Sequence, residues 1–287
     1  MIEKEFDALI RLLDDEDVEV YNHIENRLLS YGKNAVPLLE GAWELSFNGI
    51  LQNRIENIIH KINYDAFIHD LTQWKNRKEH DHHTLLAGAI LIAKYQYPDF
   101  SEEKLMGQLK QIIKDIWLEL NDNLTALEKI NILNHFFFNV YGFSGNTGNY
   151  HAPQNSYVNI AMESRKGNPL MLSLIYSYIA QSLEIPVYGV NLPEHFVLAY
   201  KDSASYGNDN KVFFYINAFS KGTVFGKKEI DNFIKQLGLK AEPSFYEPCD
   251  NVDILKRMLR NLIYAYKKEN DGDKARELKA ALKALEA

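Results

Sequence analysis

The chain has 287 residues, 46% of them hydrophobic and 25% charged, and a formal net charge of -7. That composition supplies a substantial core and excludes a chain disordered throughout. The acidic balance argues against a nucleic-acid binder, which needs a basic face to displace counterions.

The opening Met-Ile-Glu-Lys-Glu-Phe-Asp lacks the basic start and apolar stretch of a secretion leader. No run approaches the about 18 consecutive apolar residues of a membrane span. Phe6, Leu9, Ile10, Leu12 and Leu13 then recur at helical spacing. Asp14-Asp15-Glu16-Asp17 punctuates, and Val18, Val20, Ile24, Leu28 and Leu29 form a second stripe that Gly32 stops. Further stripes run through Val36, Leu38, Leu39 and Trp43, and from Ile50 to Ile62. Each is too short to be stable alone, so the helices must stack.

Leu85 to Tyr95 is almost wholly apolar and reads as a buried helix ending at Tyr97-Pro98. Ser101, followed by Glu102 and Glu103, has the chemistry of an N-cap and an acidic first turn. Thr125 is placed to cap the next helix, which carries Ile130, Leu133 and Phe137. Gly and Asn concentrate between Tyr141 and Tyr150, as in a loop. There is no Gly-Lys-Ser/Thr ending, so a phosphate cradle is not expected there. A short helix is expected over Tyr157 to Ser164.

Asn168-Pro169 opens a strong helix to about Leu183: Asn is a good cap, and proline is favoured at the first helical position. Strands are expected over Val187–Leu192, His195–Tyr200 and Val212–Asn217, and a helix over Lys227–Leu237. Two amphipathic helices around Asn270-Asp-Gly-Asp close the chain.

The motifs "FFFNVYGFSGNTGNYHAPQNSY", "RKGNPLMLSLIY", "IPVYGVNLPEHF" and "YINAF" stand in the order and spacing of the transglutaminase-like superfamily, in the branch called the SirB group. The pattern "LLDDEDVEV…LLSYGKNAVPLL" in the first sixty or so residues resembles a HEAT-like helical repeat, and "RMLRNLIYAYKKENDGDKARELKAAL" a tetratricopeptide unit. The resemblance implies an α+β, mostly helical fold, with a papain/transglutaminase-like core and a small antiparallel sheet flanked by helical-repeat-like segments. It implies four parts: a HEAT-like segment over 1–63, helices over 64–125, the core over 126–248 and a tetratricopeptide-like hairpin over 249–287.

In active members a cysteine thiolate sits at a helix N-terminus, a His takes its proton, and an Asp or Asn orients the His. The pattern has Gly-x-Cys at that helix start, where this chain has Gly167-Asn168-Pro169. The nucleophile position therefore falls on Pro169, the catalytic His position on His195 and the orienting position on Asn217. The SirB group commonly has proline at that point. Asn155, Arg165, Ser173 and Glu194 are the further residues expected to meet a ligand or partner, with Arg165 and Lys166 at the pocket mouth. Ser173 lies one helical turn, about 5.4 Å, beyond Pro169.

The lone thiol, Cys249, permits no intrachain disulfide and reads as a packed thiol. His80-Asp81-His82-His83 has metal-friendly chemistry, but no third ligand is placed beside it, and no metal or cofactor is expected. The expected role is a non-catalytic binding or regulatory scaffold in the cytoplasm. Its partner would be a protein on the helical-repeat surfaces, not a nucleic acid or a membrane. The alternative is a hydrolase or acyl-transferase of altered mechanism using His195 and Asn217, with a hydrogen bond between imidazole and carboxamide.

Overall fold

A computed structural model describes residues 2–77, 81–201 and 212–287. Lys78 and His80 lie outside the described residues. Two compact units divide the chain, Met1–Gln73 and Trp74–Ala287.

The first unit stacks α1 (Ile2–Leu12), α2 (Val18–Leu29), α3 (Val36–Leu45) and most of α4 (Gly49–Lys75). Asp17 caps α2 by accepting the N–H of Glu19 at 2.8 Å, so the acidic punctuation is a cap as well as a turn. Phe6, Leu13, Leu28, Leu39, Ile55 and Ile58 form its core. The last helix runs past residue 63 without a break, because neither Gly nor Pro occurs between Ile50 and Lys75.

The second unit holds α5 (His82–Gln96), α6 (Glu102–Trp117) and α7 (Ala126–Asn134), capped by Asp81, Ser101 and Thr125. Thr125 and Glu128 form a full capping box. A π-helical turn, His135–Val140, ends α7 and packs Phe137 against Phe143 with ring centroids 4.2 Å apart. A two-residue parallel pairing of β1 (Ser144–Gly145) and β2 (Lys166–Gly167) flanks α8 (Val158–Ser164). Gly145 is required there: a Cβ would stand 2.4 Å from the Phe219 ring.

Every residue of α9 (Pro169–Ser182) from Pro169 to Ala180 is buried. The helix lies against an antiparallel sheet of order β3-β4-β5-β6, formed by Val187–Asn191, Phe196–Lys201, Val212–Asn217 and Thr223–Phe225. The other face of the sheet carries Val190, Val197, Ala199 and Tyr215. It packs on Ile230 and Ile234 of α10 (Lys227–Gln236). The hairpin of α11 (Asn251–Lys268) and α12 (Gly272–Glu286) docks on α5, α9 and the turn Pro153–Ser156. Among the described residues, no helix is long and apolar enough to cross a membrane.

Candidate functional site

The start of α9 is built from side-chain caps. Asn168 is extended (φ -79°, ψ 171°), and its Oδ1 accepts the N–H of Met171 at 2.8 Å. Its Nδ2 donates to Ser156 Oγ at 2.7 Å. Pro169 follows as the first helical residue, where a missing N–H costs nothing. Asn155 is fully engaged in the same construction. Its Oδ1 accepts from Asn146 Nδ2 at 2.8 Å, and its Nδ2 donates to the carbonyls of Asn149 (2.6 Å) and Tyr150 (3.0 Å). Asn155 therefore fastens the loop before it to the helix start and fixes the position of Tyr150.

Pro169, Asn168 and Leu170 open onto a cavity of about 110 Å³ whose far wall comes from α11: Arg257, Asn261 and Tyr264. Tyr150, His151 and Glu194 complete the rim. The His151 ring lies 5.1 Å from Tyr150 and 5.4 Å from Tyr264, centroid to centroid. Arg257 Nη1 donates to Asn191 Oδ1 and to the carbonyl of Leu192, and the guanidinium lies 5.9 Å from the Phe196 ring centroid. Burial lowers the pKa of this guanidinium from its ordinary value. Among the described residues, no carboxylate is within ion-pair distance of Arg257, and no cation within that distance of Glu194.

Glu194 has φ +58°, a left-handed value that side chains other than glycine seldom adopt. The N–H of His195 donates to the carbonyl of Pro193 at 2.7 Å, closing a γ-turn around it. The turn sends neighbouring side chains to opposite sides. Glu194 and Phe196 face the Pro169 cavity, while His195 joins Val197 on the α10 side. His195 lines a second cavity, of about 290 Å³, with Asn217, Glu229 and Phe233, and its ring sits 5.1 Å from that of Phe233.

His195 and Asn217 thus share a cavity, but Pro169 is not in it. The expected hydrogen bond between imidazole and carboxamide is not made. Asn217 Oδ1 instead accepts the N–H groups of Phe219 (3.0 Å) and Ser220 (3.1 Å), capping the short turn Ala218–Ser220. The physical reason is local: an Asn ahead of a tight turn has two unpaired backbone donors within reach of its own side chain.

The remaining expected residues are dispersed. Ser173 is fully buried, and its Oγ has no hydrogen-bond partner and reaches neither cavity. Arg165 does not stand at a pocket mouth. Its side chain turns onto Phe143 and Tyr141, at 4.8 and 5.8 Å from the ring centroids, where cation–π contact replaces solvent. Lys166, in β2, lines neither cavity. Cys249 donates its thiol to the carbonyl of Gly189 at 3.3 Å, and burial pushes its pKa up to about 12. Asp81 is spent on capping α5, while the His82 and His83 rings lie 4.0 Å apart. Arg257, His151 and Tyr264 were not legible as site residues. Their segments show helical spacing or loop composition, and nothing in either records which residues face a cavity across the fold.

A family model described as the transglutaminase-like superfamily matches residues 103–260. A UPF0162 protein from Xylella fastidiosa (strain 9a5c) is 29% identical over 213 residues, covering 71% of this chain and 73% of that protein. Human F-box only protein 21 is 27% identical over 212 residues, covering 66% of this chain but 33% of its own length. A UPF0162 protein from Pasteurella multocida is 34% identical over a shorter stretch of 95 residues, 33% of this chain and 36% of that protein. No solved structure gives a significant match. The caps, the buried helix and the four-stranded sheet all lie within the span that the family model covers, and the chain belongs to the transglutaminase-like superfamily.

Proposed function

We propose that this chain is a non-catalytic transglutaminase-like protein that acts as a binding or regulatory scaffold, through the cavity at Pro169 and through its helical surfaces. The observation that carries this reading is the pairing of Pro169 with Arg257 across one cavity. Proline has no nucleophilic atom, whereas a half-buried guanidinium with spare donors is a recognition group. The remaining thiol supports the same reading, since a half-buried Cys249 with its pKa pushed up to about 12 is not a thiolate at neutral pH. A protein partner is the natural client of the exposed helical faces and the link between them, which carry Trp43, Leu45 and Ile50 on the helices and Phe47 on the link of the first unit.

The test is acyl transfer from a glutaminyl peptide to a primary amine, read as ammonia release. The full chain should show no turnover above the uncatalysed background. Turnover that disappears in His195→Ala would overturn the reading.

One observation favours a second reading, a hydrolase or acyl-transferase of altered mechanism. His195, Asn217 and Glu229 line a single open cavity, a setting in which an imidazole can serve as a base toward water. In that case ester hydrolysis should follow a pH profile that His195→Ala abolishes and Pro169→Ala leaves in place.

A further inference from the structure

We propose that the cavity between the start of α9 and α11 binds a small zwitterion, an α-amino acid or an equivalent amino-carboxylate. The proposal rests on the binding reading above and names its ligand class.

Four observations carry it. First, the cavity presents both signs of charge, Arg257 from α11 and Glu194 from the γ-turn. Neither side chain forms an ion pair with any described residue. Second, Arg257 is positioned before any ligand arrives: one arm of the guanidinium is held by Asn191 and Leu192, and among the described residues neither Nη2 nor Nε has an acceptor. A planar fork fixed on one side is the arrangement that recognises a carboxylate with the other. Third, Glu194 is held at φ +58° in a non-glycine γ-turn, a strained conformation, and lines the same cavity as the arginine. Fourth, the space is small, about 110 Å³, and polar side chains line most of it: Asn168, Ser156, His151, Asn261 and Tyr264.

A simple anion would satisfy Arg257 but meet Glu194 as a like charge. A simple amine would do the reverse. A ligand with carboxylate and ammonium a few bonds apart satisfies both at once.

The experiment is calorimetric titration of the full-length protein with three probes at matched ionic strength and neutral pH: L-alanine, propionate and ethylamine. L-Alanine should bind about tenfold or more tighter than either single-charge analogue, the ratio one charge-assisted hydrogen bond supplies. In Arg257→Met both alanine and propionate should weaken by about tenfold or more. In Glu194→Gln propionate should bind tighter than before, relieved of the like charge, and the advantage of alanine over it should vanish. A thermal melt of each variant checks folding; if Arg257→Met does not fold, Glu194→Gln alone decides.

Wild-type protein that ignores alanine, or that binds propionate or ethylamine as tightly, overturns the proposal, as does a Glu194→Gln variant that keeps the full preference for alanine. Absence of alanine binding together with absence of turnover in the glutaminyl-peptide assay removes only this ligand class. Turnover in that assay removes the wider binding reading instead.

Discussion

At the scale of single residues, position matters more than residue type. Cys249 is the chain's one nucleophile of the expected kind, yet its thiol is half-buried and bonded to the Gly189 carbonyl. We expect native protein at pH 8 to react with iodoacetamide far more slowly than protein in urea, by about a hundredfold or more, since burial both blocks access and suppresses the thiolate. Equal rates would show the thiol to be exposed. Glu194 gives a second prediction. Its left-handed φ is strained for a side chain, so Glu194→Gly should raise stability by about 0.5–1 kcal/mol in urea denaturation.

What was legible at this scale was local. Asn168 as cap, Pro169 as first helical residue and Thr125 as cap follow from chemistry within four positions. Asn217 was misjudged for the same reason in reverse. Its spacing matches an orienting residue, while its two neighbouring N–H groups make it a cap.

At the scale of elements, the sheet explains the separation of Pro169 from His195. A strand over His195–Tyr200 was expected from its Val, Phe and Tyr content and is found over Phe196–Lys201, and period-two alternation was bound to split its side chains between two faces. Which face received His195 depended on the γ-turn at Glu194, and a non-glycine at positive φ leaves no mark in residue order. The docking of α11 was equally hidden, because an amphipathic face does not name its partner. Gly88 is the contact that permits it: a Cβ there would stand 2.4 Å from Leu255 Cδ2 and 2.8 Å from the Trp74 ring. We expect Gly88→Ala to lower stability by about 1–3 kcal/mol through overpacking between α5 and α11. Its loss should be reduced when Leu255→Ala is added; strict additivity of the two would contradict the contact.

At the scale of the whole molecule, the family was legible because four motifs kept their order over residues 136–219, and the family model spans that region. The division at Gln73 was not, because it falls inside one continuous helix. The fold also buries tyrosines whose ionisation it opposes. Tyr157 and Tyr266 share a hydrogen bond of 2.9 Å, and burial raises both pKa values, that of Tyr266 to about 12. An acid whose pKa rises on folding contributes stability that is complete below its unfolded value near 10 and is lost as pH climbs through the folded value. Stability should therefore fall steeply above about pH 10. Tyr157→Phe should cost about 1 kcal/mol at pH 7 and flatten that alkaline decline.

We propose that the helix start at Pro169 serves recognition and not acyl transfer. Restoring the missing group tests it most directly. In a Pro169→Cys, Cys249→Ser double variant, the new thiol would sit at a helix N-terminus on the cavity that Arg257 also lines, a setting that favours its thiolate. It should nevertheless yield no acyl transfer from a glutaminyl peptide to an amine, because the His195 imidazole lines a different cavity. Turnover by that variant, lost again when His195→Ala is added, would contradict the claim.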